Sequence, residues 1–162
     1  MTATLVRRAT VDDAPAIARV HLQSWRETYP PVLPAEVLGG LDLDARTARW
    51  QEILDEGRST VHVAVAGGEV VGFASAGDGR HDDAPAPREL EGLYVLARRH
   101  GTGDGARLLA AAIGDRPAYL WVWRDNARAL AFYGKHGFAA DGAADTHTVS
   151  DHPIPAVRMV RP

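Results

Sequence analysis

Residues 98–109 read Arg98-Arg99-His100-Gly101-Thr102-Gly103-Asp104-Gly105-Ala106-Arg107-Leu108-Leu109, directly after a strand-like run from Leu90 to Leu96. The apolar positions Leu108, Leu109, Ala112 and Ile113 then recur at helical spacing. The order is strand, glycine loop, helix. Glycines let a backbone approach an anion, and the unpaired N–H groups of a helix start, with the macrodipole, favour negative charge there. The loop is a candidate phosphate cradle, although a plain strand-to-helix turn would also use glycine.

Known phosphate loops divide on what surrounds the glycines. A Walker loop needs Lys-Ser or Lys-Thr after its last glycine, and Ala106-Arg107 stands there instead. The dinucleotide fingerprint fits Gly101, Gly103 and Ala106, with Asp125 about 20 residues further on. That fingerprint follows the first strand of its domain, whereas here about 100 residues precede it and about 55 follow, too few for a doubly wound sheet.

Upstream, Leu5 to Ala9 reads as a strand, and Asp12-Asp13 open a helix with Ile17, Val20 and Leu22 on its apolar side. Tyr29-Pro30-Pro31-Val32-Leu33-Pro34 breaks that helix. Helical pieces over Pro34 to Leu38 and Asp44 to Leu54 follow, then a hairpin of Val61, Val63 and Val65 turning at Gly67-Gly68 into Val70, Val71 and Phe73. His81 to Arg88 reads as an exposed loop. Downstream come strands at Glu89–Val95 and Ala118–Trp123, helices at Gly103–Ile113 and Asn126–His136, and strands at Phe138–Ala140 and Ala156–Val160. This order predicts an α/β (α+β) domain spanning residues 1–162, a mixed sheet with helices on its faces.

Composition restricts the chemistry. The chain has 162 residues, 46% hydrophobic and 24% charged, as expected of one globular domain. A net charge of -3 gives no general attraction to nucleic acid or anionic membrane, and no apolar run is long enough to span a bilayer. Without cysteine there is no disulfide, thiolate zinc site or cysteine nucleophile. His81, His147 and His152 fall in expected loops without a metal-ligand spacing, so no metal is expected. No signal peptide is recognisable at the start, and a cytoplasmic protein is the default expectation.

A second block sharpens the reading of the loop. Leu120-Trp121-Val122-Trp123-Arg124-Asp125-Asn126-Ala127-Arg128-Ala129-Leu130-Ala131-Phe132-Tyr133-Gly134-Lys135-His136-Gly137-Phe138 resembles a strand followed by N-x-x-A-x-x-F-Y-x-x-x-G-F, the second block of the GNAT acetyltransferase superfamily. The glycine loop resembles that superfamily's Q/R-x-x-G-x-G/A signature, and the two blocks stand in the expected order between Glu89 and Phe138. Bacterial members also carry a segment similar to Ser24-Trp25-Arg26-Glu27-Thr28-Tyr29, which faces the acceptor. The resemblance implies a six- to seven-stranded sheet splayed between Glu89–Val95 and Ala118–Trp123, with acetyl-CoA in the gap.

It further implies roles. His100, Gly101, Thr102, Gly103, Asp104, Gly105 and Ala106 would hold the CoA pyrophosphate, with His100 in place of the usual Gln or Arg and Asp104 in a slot that is usually apolar. A carboxylate there should weaken binding unless it turns away or pairs with a cation such as Arg107. Along the strand Leu93-Tyr94-Val95, the Leu93 N–H at a bulge would serve the oxyanion and the Val95 N–H a pantetheine carbonyl. Asn126 would contact pantetheine or cap its helix, Arg128 would reach a phosphate, and Tyr133 would act as general acid beside the sulfur.

Glu89 lies eleven residues before His100, the offset of the catalytic glutamate in histone-modifying members, and Glu91 shares its strand face. Either would take the amine proton, Glu89 preferentially; a water chain is the alternative. Trp25 and Tyr29 are acceptor-pocket candidates, whereas Trp121 and Trp123 read as core. The implied reaction is transfer of acetyl from acetyl-CoA to a primary amine of a small molecule or peptide, in a protein able to dimerise. A non-catalytic acyl-CoA sensor and a nucleotide-binding module remain as alternatives.

Overall fold

The structure, a computed structural model, describes residues 3–162. Seven strands form one sheet in the order β1-β2-β3-β4-β5-β7-β6. They are β1 (Thr4–Arg8), β2 (Thr60–Ala66), β3 (Glu69–Asp78), β4 (Arg88–Val95), β5 (Ala118–Trp123), β6 (Ala139–Val149) and β7 (His152–Arg161). Every neighbouring pair is antiparallel except β4 with β5. The helices are α1 (Ala14–Thr28), α2 (Ala35–Gly39), α3 (Leu43–Glu56), α4 (Asp104–Ile113) and α5 (Ala127–Lys135). Among the described residues no helix is long and apolar enough to cross a membrane.

The apolar periodicities sort the helices onto two faces. Ile17 and Val20 of α1 and Trp50 of α3 pack on Val61, Val63 and Phe73, while Leu108, Leu109 and Ile113 of α4 pack with Tyr133 of α5 on Val71, Leu120 and Val122. Burial of each such side chain contributes about 1.5–3 kcal/mol. The first acidic pair is used differently from expectation: Val11–Asp13 form a short 3₁₀ turn, and Asp13 accepts from the Thr10 N–H and from Arg7 before α1 begins at Ala14. Asp42 caps α3 by accepting from the Ala45 N–H, and Gly57 closes that helix with φ +69°.

The C-terminal hairpin departs most from the sequence reading. β6 runs to Val149 and β7 starts at His152, so both strands are far longer than expected, and His147 and His152 lie on strands. The cause is the polar, exposed edge strand β6, whose Asp, Thr and Gly residues give no alternation to read. Pro153 and Pro155 also argue against a strand, yet β7 pairs with β5 only from Ala156 onward, and Pro155 offers that side only its carbonyl, which accepts from the Arg124 N–H.

Candidate active site

The sheet opens between β4 and β5. They are paired only at Arg88–Ala118 and Glu89–Tyr119, and beyond Glu89 the two strands diverge. The antiparallel ladder on the other side of β4 fixes which groups face the gap. Leu96 N–H donates to Val71 O, so by alternation Phe73–Tyr94 is a hydrogen-bonded pair, while Leu93 and Val95 turn their N–H and C=O groups away from β3. His100 Nε2 lies 3.0 Å from Val95 O, on that same outward edge. Leu93 and Val95 therefore present their N–H groups, without a partner among the described residues, to the opening. Tyr94 does not: its backbone belongs to the ladder, and its side chain packs against His21 and Phe73 on the α1 face.

The bulge is not at Leu93. The register steps from Ser75–Gly92 to Ala76–Leu90, which leaves Glu91 as the extra residue. Glu91 is thereby pushed out where two clefts meet. One, of about 350 Å³, fills the gap and is lined by Leu93, Asn126, Tyr133 and Trp121 among others. The other, of about 590 Å³, lies between α3 and the β3–β4 face over Phe73 and Ser75. Arg80, Glu91, Gly92 and Tyr94 line both.

At the glycine loop, Gly103 has φ +89° and is the N-cap of α4, and Gly101 has φ +78°. Only glycine adopts this backbone without strain. The N–H groups of residues 101 to 106 have no partner among the described residues; the first amide of the helix to find one is Arg107, which donates to Gly103 O. Gly105 serves packing, since a Cβ there would stand 3.3 Å from the Phe132 ring of α5.

Asp104 resolves the charge conflict by turning inward. It is fully buried and accepts from Thr4 Oγ1 (2.8 Å), Arg99 Nε (2.8 Å) and Arg107 Nη1 (3.1 Å). Burial alone would raise its pKa, but the bonds from Arg99 and Thr4 outweigh this and hold it below the ordinary carboxylate range. Its side chain is thus unavailable to a ligand and can offer only the backbone N–H. Thr102 Oγ1 likewise is spent on Arg99 O at 2.7 Å.

The two glutamates are separated by their partners. Glu89 is 2% exposed and is gripped by Arg80 through two bonds, Nε–Oε1 at 2.9 Å and Nη2–Oε2 at 2.7 Å. Tyr119 Oη donates to Oε1 at 3.4 Å. Donation to Glu89 is the first cause of a raised Arg80 pKa, so the guanidinium stays charged. Both carboxylate oxygens of Glu89, the preferred base from its sequence offset, are thus engaged by a permanent cation. Among the described residues Glu91 accepts only from Ser75 Oγ at 2.8 Å, with Arg80 Nε further off at 3.9 Å.

On α5, Asn126 Oδ1 accepts from the Ala129 N–H at 3.1 Å while the residue lines the gap, so it caps the helix and keeps its amide group for a ligand. Tyr133 also lines the gap, and its hydroxyl has no protein partner among the described residues; burial raises its pKa well above that of a free phenol. The phenol therefore stays neutral. Arg128 is exposed and makes no ion pair among the described residues, lying apart from the gap lining.

Trp25 and Tyr29 line the gap, ring to ring at 5.6 Å, and Trp25 Nε1 donates to Tyr94 Oη at 3.4 Å. Trp121 and Trp123, expected in the core, line it as well because β5 has no strand beside them on the β4 side. Sequence reasoning missed Arg80 and His81 as residues lining the gap, and Tyr119 as the partner of His81 and Glu89: the first two lie at the β3–β4 loop, and nothing in their spacing signals that the loop folds back over β5.

A sequence model of the acetyltransferase (GNAT) family matches residues 19–138. YuaI, an uncharacterized N-acetyltransferase of Bacillus subtilis, is 34% identical over 137 residues, covering 79% of this chain and 76% of its own. Among solved structures, PaiA N-acetyltransferase from Thermoplasma acidophilum, in complex with coenzyme A, matches with a TM-score of 0.74 at 19% identity over 98% of each chain. Ribosomal-protein-alanine N-acetyltransferase from Brucella melitensis matches with a TM-score of 0.73 at 26% identity, over 97% of this chain and 98% of that one. The sequence match covers both motif blocks, the folds agree over almost the whole chain, and the sheet opens between β4 and β5; the chain belongs to the acetyltransferase (GNAT) family of acyltransferases.

Proposed function

We propose that this protein transfers the acetyl group of acetyl-CoA to a primary amine of a small molecule or peptide by direct attack. The observation that carries the reading is the row of unpaired backbone donors, Leu93 and Val95 on the open edge of β4 and residues 101 to 106 at the α4 start. They fit a ligand with a diphosphate at one end and amide carbonyls along a narrow arm. The Thermoplasma relative, in complex with coenzyme A, supports the same assignment.

When bound, acetyl-CoA supplies the thioester that is broken. The loop N–H groups would hold its diphosphate, Val95 N–H and Asn126 its pantetheine arm, and Leu93 N–H the carbonyl oxygen as negative charge develops there. Glu91, at the junction of the clefts, would draw in the cationic acceptor, with Trp25 and Tyr29 as the wall beside it. Tyr133 would hydrogen-bond the departing sulfur and return a proton to it.

Two measurements test this. CoA should raise the melting temperature while NAD and ATP at equal concentration should not, because a ligand stabilises only by binding the native state. Thiol release from acetyl-CoA should then depend on an added amine. Stabilisation without release for any amine would assign a sensor instead, and stabilisation by NAD alone a nucleotide module.

A further inference from the structure

Among the described residues His81 is the imidazole that stands in the gap with a built partner on one side of its ring. Its Nδ1 lies 3.0 Å from Tyr119 Oη, whose hydroxyl is in turn 3.4 Å from Glu89 Oε1, and 3.9 Å directly separates Nδ1 from that oxygen. The ring meets Tyr119 and Trp121 at centroid distances of 5.9 and 5.8 Å. His81 lines the same cleft as Glu91, Leu93 and Tyr133.

Resting on the acetyltransferase reading, we propose that His81, positioned by Tyr119 and Glu89, is the group that takes the proton from the acceptor amine. A carboxylate can only accept, so Tyr119 donates to Glu89, and Tyr119 oxygen then accepts from Nδ1–H of His81. That fixes the tautomer and leaves Nε2 with a free lone pair. The step balances: the ammonium passes one proton to Nε2, the neutral amine forms the C–N bond as the C–S bond breaks, the acylated nitrogen releases its second proton to solvent, and the thiolate takes a proton from Tyr133, which solvent replaces.

The charged groups beside the ring are Arg80, with one positive charge, and the carboxylates of Glu89 and Glu91. The remaining groups near it are Asp82 and Asp83 on its own loop, the latter paired to Arg158 of β7, Arg88 beside Asp78 on β4 and β3, and His147 of β6 across the Trp121 ring. Burial and the charge of Glu89 raise the Tyr119 pKa, so the phenol remains a hydrogen-bond relay and does not ionise.

The test combines a spectrum of the free protein with kinetics. Imidazole nitrogen NMR of the ¹⁵N-labelled chain, with His81 identified by its loss in His81→Gln, should show the Nδ1–H tautomer, and Tyr119→Phe should shift it toward Nε2–H. In thiol-release assays with spermidine, lysine and a glycyl peptide as acceptors, His81→Gln should cut kcat by about 10² and remove the acidic limb of the pH profile. An Nε2–H tautomer in wild type, or a tautomer unmoved in Tyr119→Phe, overturns the proposal. So does a normal pH limb in His81→Gln. The NMR arm needs neither CoA nor acceptor, so its outcome is separate from failure of the acetyltransferase reading, which would appear as no CoA binding.

Discussion

Lowering the pH should loosen the large cleft through one buried imidazole. His21 lies on α1 among Trp25, Trp50, Phe73 and Tyr94, with ring centroids 4.9 to 5.8 Å away, and its Nδ1 accepts from Trp50 Nε1 at 3.2 Å. Burial, followed by the charge of Arg46, pushes its pKa down from 6.5 to about 3. The folded state thus refuses a proton that the unfolded chain accepts, so stability is intact above about pH 6.5 and falls as pH drops toward 3, where the loss is complete. At about 1.4 kcal/mol per unit, the fall from pH 7 to pH 5 removes about 2 kcal/mol, or about 4–8 °C in melting temperature for a chain of this size. His62, whose pKa burial also lowers, acts in the same direction, so the diagnostic is a difference between proteins. His21→Gln keeps an acceptor for Trp50 and cannot titrate. Urea unfolding at pH 7 and pH 5 should show a pH-dependent loss smaller by about 2 kcal/mol in the variant. Parallel pH curves for the two proteins would refute the reasoning.

Glu91→Gln should raise KM for a cationic amine with little change in acetyl-CoA affinity, read by titration and steady-state kinetics; an unchanged amine KM would remove Glu91 from the acceptor site. Tyr133→Phe should fold and bind CoA nearly normally while single turnover slows by ~10² or more, the scale of general acid catalysis. Wild-type single turnover in that variant would leave solvent as the proton source. Gly103→Val forces a β-branched residue to φ +89°, at a cost of about 1–2 kcal/mol, and should weaken CoA at least ~10-fold in calorimetry. Unchanged affinity would end the phosphate-cradle assignment.

The parts of this fold that were legible in the sequence are those with strong local signals. The α1 and α4 stripes, the β2–β3 hairpin and the glycine loop all rest on apolar periodicity or on glycine, and each lies within a residue or two of its expected place. The start of β6 was read, but its length beyond Ala140 was illegible because a polar edge strand has no buried face to leave a pattern. The site divides in the same way. Backbone donors such as Leu93 and Val95 were placed only through resemblance, since an N–H group leaves no mark on residue type. The fate of Glu89 was invisible because Arg80 reaches it across a loop, and Asp104 looked out of place until Thr4, 100 residues away, was seen to bond it. Long-range polar pairing is the information that local spacing lacks.

The central claim is that the open edge of β4 and the α4 start together form the acetyl-CoA site. The most direct measurement is a titration of the ¹⁵N-labelled protein with CoA, followed through its backbone amide resonances, with NAD as control. The account predicts that the amides of Leu93, Val95 and residues 101 to 106 shift together and saturate with one CoA per chain, and that NAD leaves them in place. Shifts confined to the cleft under α3, or none at all with CoA, would contradict it.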